Sequence, residues 1–144
     1  MAKTISVTDA AALMNDGWRY LDVRSVPEFE AGHPEGALNV PLLHLEGGRM
    51  VANEDFEVVV GAAFAKDTKL VVGCKMTGRS AQAVAYMEAM GFDNLCLVRG
   101  GFVGERDPFG RVLAPGWSQA GLPVEVGAGG QGAYAALVAP DAKG

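Results

Sequence analysis

A short apolar run at residues 69–73 (KLVVG) constrains the fold of this chain more than any other stretch. The run is continuous rather than alternating, which is typical of a parallel strand covered on both faces. A second such run follows at 94–98 (NLCLV), and the segment between them, 80–90, has the apolar spacing of a helix. This order predicts a parallel sheet with residues 69–73 at its centre.

Strands and helices alternate along most of the preceding chain. Short strands are predicted at 18–24 and 37–42, where apolar runs are bounded by turn residues. Ser6, Ser25 and Asn53 each precede a segment of helical character, and Ser and Asn are residue types that begin helices. The alternation predicts an α/β domain with a central, mainly parallel sheet and helices on both faces.

The C-terminal part departs from this alternation. Residues 107–110 (DPFG) have the composition of a type I turn, so 103–113 is predicted to form a small hairpin or a projecting loop. The last segment, 127–144, begins with many glycines and is predicted to be a flexible tail. The folded domain is therefore expected to span residues 4–126.

Charge and hydropathy exclude several classes of partner. The formal net charge is −5, so we expect no general affinity for nucleic acid or anionic membranes, which attract clustered Lys and Arg. The N-terminus lacks the apolar core of a signal peptide, and no stretch approaches the roughly 20 apolar residues of a membrane span. We therefore expect a cytoplasmic protein without nucleic-acid or membrane partners.

The metal-ligating and thiol side chains are few. Cys74 and Cys96 do not form a disulfide framework, and together with His33 and His44 they lack the spacing of a zinc site. We expect no metal and no cofactor, and we assign no role to His44.

Cys74 lies where the central strand is expected to end and the next helix to begin, which is where parallel sheets place their ligand sites. Backbone N–H groups of such a loop and the helix N-terminus attract anions. Lys75 and Arg79 add positive charge, and such surroundings stabilise a nucleophilic thiolate. The sequence predicts Cys74 as a nucleophile within an anion-binding loop made of Lys75, Met76, Thr77, Gly78, Arg79 and Ser80.

Within this loop each residue has an expected place. Met76 and Thr77 are expected at the rim, Gly78 is expected to supply a backbone conformation that other residues resist, and Ser80 is expected to cap the helix. A buried structural cysteine is the alternative interpretation for Cys74, but two cations within five residues disfavour it. Cys96 has no such neighbours and is interpreted as a core residue.

Three ordered motifs resemble those of the rhodanese (thiosulfate sulfurtransferase-like) family. The loop from Cys74 to Arg79 resembles the active-site loop, and residues 21–41 (LDVRSVPEFEAGHPEGALNVP) resemble the first signature. Residues 98–102 (VRGGF) and 115–124 (PGWSQAGLPV) together resemble the closing signature of the family. The loop departs from single-domain members of the family at its third position after cysteine, where they commonly have glycine and this chain has Thr77.

The resemblance implies a single rhodanese-like domain over 4–126 that transfers a sulfane sulfur. By that resemblance, Cys74 attacks the outer sulfur of thiosulfate or a similar small anionic donor, releases sulfite and carries a persulfide. The extra sulfur then passes to a thiophilic acceptor, which is cyanide, a thiol or a protein.

The resemblance also implies roles outside the loop. Asp22 and Arg24 match the family's DVR motif, and Asp22 is implied to support the loop from beneath, through Arg79 or backbone amides. An ordinary ion pair at the end of a strand is the alternative for Asp22. His33 matches the family's GH motif, and we favour a structural hydrogen-bonding role for it.

Two other functions stay open. The first is phosphatase or arsenate-reductase-like chemistry, although the four residues between Cys74 and Arg79 are one fewer than in the loops of related phosphatases. The second is a noncatalytic module, or one that relays sulfur to a partner protein.

Overall fold

The computed structural model describes residues 2–143, with side chains described through residue 138. The helices are α1 (Val7–Asn15), α2 (Val26–Ala31), α3 (Phe56–Ala63), α4 (Gly78–Ala89) and α5 (Tyr134–Lys143). The strands are β1 (Lys3–Ile5), β2 (Arg19–Asp22), β3 (His33–Pro34), β4 (Leu38–Asn39), β5 (Leu43–Glu46), β6 (Arg49–Ala52), β7 (Leu70–Gly73), β8 (Leu95–Val98), β9 (Glu105–Arg106), β10 (Val112–Ala114) and β11 (Val124–Glu125).

The largest sheet has five strands in the order β1-β8-β7-β2-β4, and each neighbouring pair is parallel. This confirms the predicted α/β class and places the KLVVG run at the centre, as strand β7. Leu70 and Val72 pack on one side of the sheet and Val71 on the other, because successive side chains of a strand alternate in direction. All three are fully buried, which explains why the run is continuous rather than alternating.

Helices cover both faces of this sheet, as predicted. The side chains of α3 and α4 share one buried core, and those of α1 and α2 share the other. Trp117 closes the second core, where its ring and that of Tyr20 pack edge to face with their centroids 5.5 Å apart. Its indole N–H donates to the Pro123 carbonyl at 2.7 Å. The Tyr20 hydroxyl in turn lies so close to Gly73 that any side chain at position 73 would collide with it.

Of the three predicted helix starts, Ser6 acts as the N-cap of α1, and its hydroxyl accepts from the Asp9 backbone N–H at 3.1 Å. Ser25 precedes α2, as expected. Helix α3 begins later than predicted, at Phe56, with Asp55 as its N-cap. Asn53 instead accepts from the Asp55 backbone N–H and donates to the Pro41 carbonyl, so its side chain braces the turn before the helix.

Two hairpins project from the sheet. The predicted one is present, with β9 and β10 antiparallel around the turn at 107–110. The second, β5–β6, was not predicted from the sequence. Its signal is Gly47–Gly48, flanked by Glu46 and Arg49. Both glycines have positive φ angles, 59° and 78°, and two such residues make a tight hairpin turn.

The segment predicted to be a flexible tail contains a 3₁₀ turn at Gly130–Gly132 and helix α5, while Gly144 lies outside the described residues. Tyr134, Leu137 and Val138 pack against the core beside α3. These positions have helical spacing, so α5 presents one apolar side to the domain. No helix was predicted here, because the helical spacing of apolar residues is short and directly follows a glycine-rich stretch.

Within residues 2–143, no helix has the length and apolar character needed to cross a membrane. The side chains that the structure describes, through residue 138, include no group of three or more His, Cys, Asp or Glu arranged to hold a metal ion.

We predict that Leu137→Ala lowers the free energy of unfolding by about 1–2 kcal/mol, because it removes a partly buried side chain from the core. Chemical denaturation monitored by tryptophan fluorescence measures the change. Val126→Ala is the matched control, since Val126 is 75% exposed. Equal stability of the two variants would show that α5 does not pack on the domain.

Candidate active site

Cys74 follows directly on β7 at the carboxyl edge of the sheet, and the loop behind it leads into α4. The position is the one predicted. The residue is only 2% exposed, so its burial matches the alternative interpretation, while its place at the start of the loop matches the predicted one. A small group can approach the sulfur far more easily than a bulky one.

Ser80 is the hydrogen-bonding partner of the sulfur. Its backbone N–H donates to the Cys74 Sγ at 3.3 Å, and the thiol donates to the Ser80 Oγ at 3.3 Å. The Ser80 hydroxyl donates onward to the Thr77 carbonyl at 2.9 Å. Ser80 was expected to cap the helix, but α4 already begins at Gly78 with Thr77 as N-cap, which turns the fully buried Ser80 toward the sulfur.

The Gly101–Val103 segment holds the backbone of the loop. The Phe102 N–H donates to the Cys74 carbonyl at 2.8 Å, and the Val103 N–H donates to the Lys75 carbonyl at 3.0 Å. Gly101 has a φ of 55°, and a Cβ there would lie 2.2 Å from the Cys74 carbonyl oxygen. Only glycine therefore fits at this contact. The VRGGF motif was the sequence signal for the Gly101–Val103 segment, although its contact with the loop was not predicted.

Thr77 ties the loop to the β9–β10 hairpin. Its hydroxyl donates to the Glu105 carboxylate and accepts from the Gly100 N–H at 3.2 Å. Arg99 lies 3.4 Å from the same carboxylate. A glycine at position 77 could make none of these side-chain contacts, so the departure from the common family loop has a structural consequence.

The outer part of the loop agrees only in part with the predicted rim, because Met76 is exposed whereas Thr77, also expected there, is partly buried. Lys75 and Met76 are exposed, and among the described residues Lys75 has no ion-pair partner. Gly78 was expected to need a special backbone conformation. The structure shows otherwise, because its φ is not positive and no atom lies within 4 Å of where a Cβ would be.

Arg79 does not share the role of Lys75, because a carboxylate on α2 binds it. Its two terminal nitrogens donate to Glu28 at 2.7 Å and 3.0 Å. Burial opposes the ionisation of Glu28, but hydrogen bonds from Arg79 and Ser25 outweigh it and lower the pKa of Glu28 to about 2. The hydrogen bond to Glu28 raises the pKa of Arg79, against the effect of burial. Of the two free cations expected in the loop, Arg79 is therefore paired, and only Lys75 has no partner within the part of the chain that the structure describes.

Asp22 binds Arg24 rather than Arg79 or the loop amides, which corrects the role that the resemblance implied. Arg24 Nη2 donates to the Asp22 carboxylate at 2.7 Å, and the Arg24 backbone N–H donates to it at 3.0 Å. The pair is the buried ion pair at the end of a strand that stood as the alternative. Its link to the loop is indirect, since the Arg24 guanidinium lies 4.4 Å above the ring of Phe102.

The remaining candidates have structural positions. His33 is fully buried, with Nδ1 2.7 Å from the Phe29 carbonyl and Nε2 3.1 Å from Glu125, in agreement with a hydrogen-bonding role. Cys96 lies in the core on the other face of the sheet, and burial raises the pKa of its thiol.

Comparison with known proteins gives a consistent result. The family model for the rhodanese-like domain matches residues 6–105. A relative from Arabidopsis thaliana named thiosulfate sulfurtransferase 16, chloroplastic, is 37% identical over 122 residues, which are 85% of this chain and 92% of that protein. A second Arabidopsis relative, protein HIGH ARSENIC CONTENT 1, mitochondrial, is 35% identical over 69% of this chain and 59% of its own length.

The structural comparison agrees on the fold. The crystal structure of Rv0390 from M. tuberculosis superposes with a TM-score of 0.73 at 24% identity, covering 88% of this chain and 98% of that one.

We predict that Thr77→Val, which keeps the shape but removes the hydroxyl, accelerates alkylation of Cys74 by iodoacetamide about tenfold or more. The loss of a hydrogen bond to a charged group costs about 1.5–3 kcal/mol and favours opening of the loop. Mass spectrometry of the native protein measures the rate at each cysteine. Thr68→Val is the control, because Thr68 precedes β7 and therefore lies at the opposite end of this strand from Cys74. Equal rates in both variants would contradict the role of Thr77.

We predict that Glu28→Gln lowers the free energy of unfolding at neutral pH by about 1–2 kcal/mol, once solvent screening is allowed for. Because folding lowers the pKa of Glu28, the ionised group stabilises the protein above its ordinary pKa of 4.5, and this contribution is lost as the pH falls through about 2. Denaturation of both proteins across that range measures the difference. A difference that stays constant with pH would disprove the ion pair as its source.

Proposed function

The chain belongs to the rhodanese-like domain family, and on that premise we propose that it is a sulfurtransferase that carries sulfane sulfur as a persulfide on Cys74. The contact that supports this most directly is the Ser80 N–H, 3.3 Å from the Cys74 sulfur in the first turn of α4. A donor at that position stabilises negative charge on the sulfur, whether as a thiolate or after a second sulfur has been added.

The first half-reaction forms the persulfide. The Cys74 thiolate attacks the outer sulfur of thiosulfate or a similar small anionic donor, the S–S bond of the donor breaks, and sulfite leaves with the electron pair. Lys75, which has no ion-pair partner among the described residues, attracts the donor. The 2% exposure of Cys74 favours a donor with a small sulfur-bearing end.

The second half-reaction returns the enzyme to its starting state. A thiophilic acceptor, which is cyanide, a thiol or the cysteine of a partner protein, attacks the outer sulfur, and Cys74 leaves as a thiolate. The reaction needs no metal or cofactor. On the basis of the sequence, the proposal includes a cytoplasmic location for the protein.

Oxyanion chemistry of the phosphatase or arsenate-reductase kind is the second candidate, and the name of one relative connects that protein with arsenic. The geometry favours sulfur transfer. An oxyanion site requires an arginine free to bind two oxygens, whereas both terminal nitrogens of Arg79 here bind Glu28. A noncatalytic module has less support, since Cys74 and its Ser80 donor are both present.

We predict that incubation with thiosulfate adds the mass of one sulfur atom to Cys74, seen by intact-protein and peptide mass spectrometry. Cys74→Ser should abolish both this addition and the formation of thiocyanate from cyanide, because the hydroxyl is a far weaker nucleophile at neutral pH.

Cys96→Ser is the matched control and should keep nearly full activity, because Cys96 lies in the opposite core. Sulfur transfer by the Cys74→Ser variant would overturn the mechanism. Absence of any added sulfur in the wild-type protein, together with reduction of arsenate, would favour the second candidate.

A further inference from the structure

A groove of about 360 Å³ lies between the β5–β6 hairpin, the start of α3 and α4, and neither half-reaction uses it. Leu42 and Phe56 form its buried floor, and both belong to the core that α3 and α4 share. Tyr86 of α4 stands at its rim and is 43% exposed. The groove is therefore apolar at its base and open to a ligand from outside.

The apolar surface continues from the groove along one face of the hairpin. Leu43 and Ala52 line the groove and are paired across the two strands. The next pair on the same face is Leu45 and Met50, because successive side chains of a strand alternate in direction. These two side chains are 43% and 45% exposed. The surface extends beyond the groove by two residues, or about 7 Å, so a matching ligand is longer than the groove itself.

The opposite face of the hairpin is already in contact with the domain. His44 lies on that face, and the centre of its ring is 5.6 Å from that of Tyr134 in α5. Leu45 and Met50 point the other way, because they belong to the alternate set of positions along the strands. The apolar face is therefore presented outward on a hairpin that is anchored from behind.

Two carboxylates give the groove a negative charge. Glu54 and Glu57 line it and are exposed. Of the described residues that line the groove, none is a lysine or an arginine, and neither carboxylate has an ion-pair partner among the described residues. The ring of Tyr86 can also attract a cation through its face. The groove thus complements a cationic group and repels phosphates and anionic lipids.

We propose that the groove and the adjoining hairpin face bind a segment of a partner protein in which a basic residue precedes a run of apolar ones. The basic side chain lies between Glu54 and Glu57, and the apolar run lies on Leu45 and Met50. A small organic cation would leave the hairpin face exposed. A second copy of this chain would add a negatively charged surface, since each copy has a formal net charge of −5. The proposal does not depend on the chemistry of Cys74.

Fluorescence anisotropy with labelled peptides tests the chemistry of the ligand. The probe is a short acetylated peptide in which two lysines precede alternating leucine and threonine. One reference peptide has glutamates in place of the lysines, and another keeps the lysines but has serines in place of the leucines. Wild-type protein should bind the probe about tenfold more tightly than either reference, which corresponds to about 1.4 kcal/mol. Two partly exposed ion pairs, or two half-buried apolar side chains, supply a difference of that size.

Matched variants locate the charged part of the site. Glu54→Gln combined with Glu57→Gln should weaken binding of the probe about tenfold. Glu30→Gln combined with Glu35→Gln is the control, because it makes the same change in net charge at exposed positions that do not line the groove. Binding of the probe by this control should stay close to that of the wild type.

A second pair of variants examines the hairpin face. Met50→Ser should weaken binding about fivefold, because it removes an apolar side chain that the peptide covers. Leu113→Ser is the control, since Leu113 is 54% exposed on β10 and does not line the groove. Both substitutions are at exposed positions, so the fold should tolerate them.

The backbone amide signals of Ala52 and Gln82, on opposite sides of the groove, should shift when unlabelled probe is added. Equal binding of the three peptides, unchanged binding by the Glu54→Gln, Glu57→Gln variant, or unshifted signals would each overturn the proposal. So would an affinity for spermidine equal to that for the probe, which would indicate a site for small cations. Self-association of the wild type that Met50→Ser abolishes, measured by sedimentation, would assign the face to a second copy instead.

Discussion

The hydrogen bonds from the Phe102 and Val103 amides to the carbonyls of Cys74 and Lys75 are the contacts on which the rest of the site depends. They fix the path of the chain as it leaves the central strand. Because that path is fixed, α4 begins at Gly78 and its first turn brings the Ser80 N–H to the sulfur. A backbone-to-backbone contact thus sets the geometry that the side chains then use.

The electrostatics of the site depend on which cations are already paired. Asp22 binds Arg24 and Glu28 binds Arg79, which leaves the loop with Lys75 as its unpaired cation among the described residues. Both carboxylates lie on elements that border the loop, β2 and α2. The site is therefore less positive than its local sequence indicates, and its positive charge is concentrated on one flexible side chain.

The sequence was sufficient for four of the five strands of the main sheet and for the position of Cys74, because these depend on local patterns, whereas the edge strand β1 was not predicted. The burial of β7 on two faces produces a continuous apolar run, and the change from strand to helix marks Cys74. The partner of Arg79 could not be found in this way, since Glu28 lies 51 residues away in sequence and only the fold brings the two together. Helix α5 was missed because its apolar spacing is short and follows a glycine-rich segment.

The two cysteines lie on opposite faces of the sheet. Cys96 is paired in register with Val71, three residues before Cys74, which corresponds to about 10 Å along the strand. A disulfide needs Cα atoms within about 7 Å of each other. Cys96 therefore cannot serve as a resolving thiol, and a sulfenic acid formed on Cys74 can be rescued only by a reductant from outside the molecule.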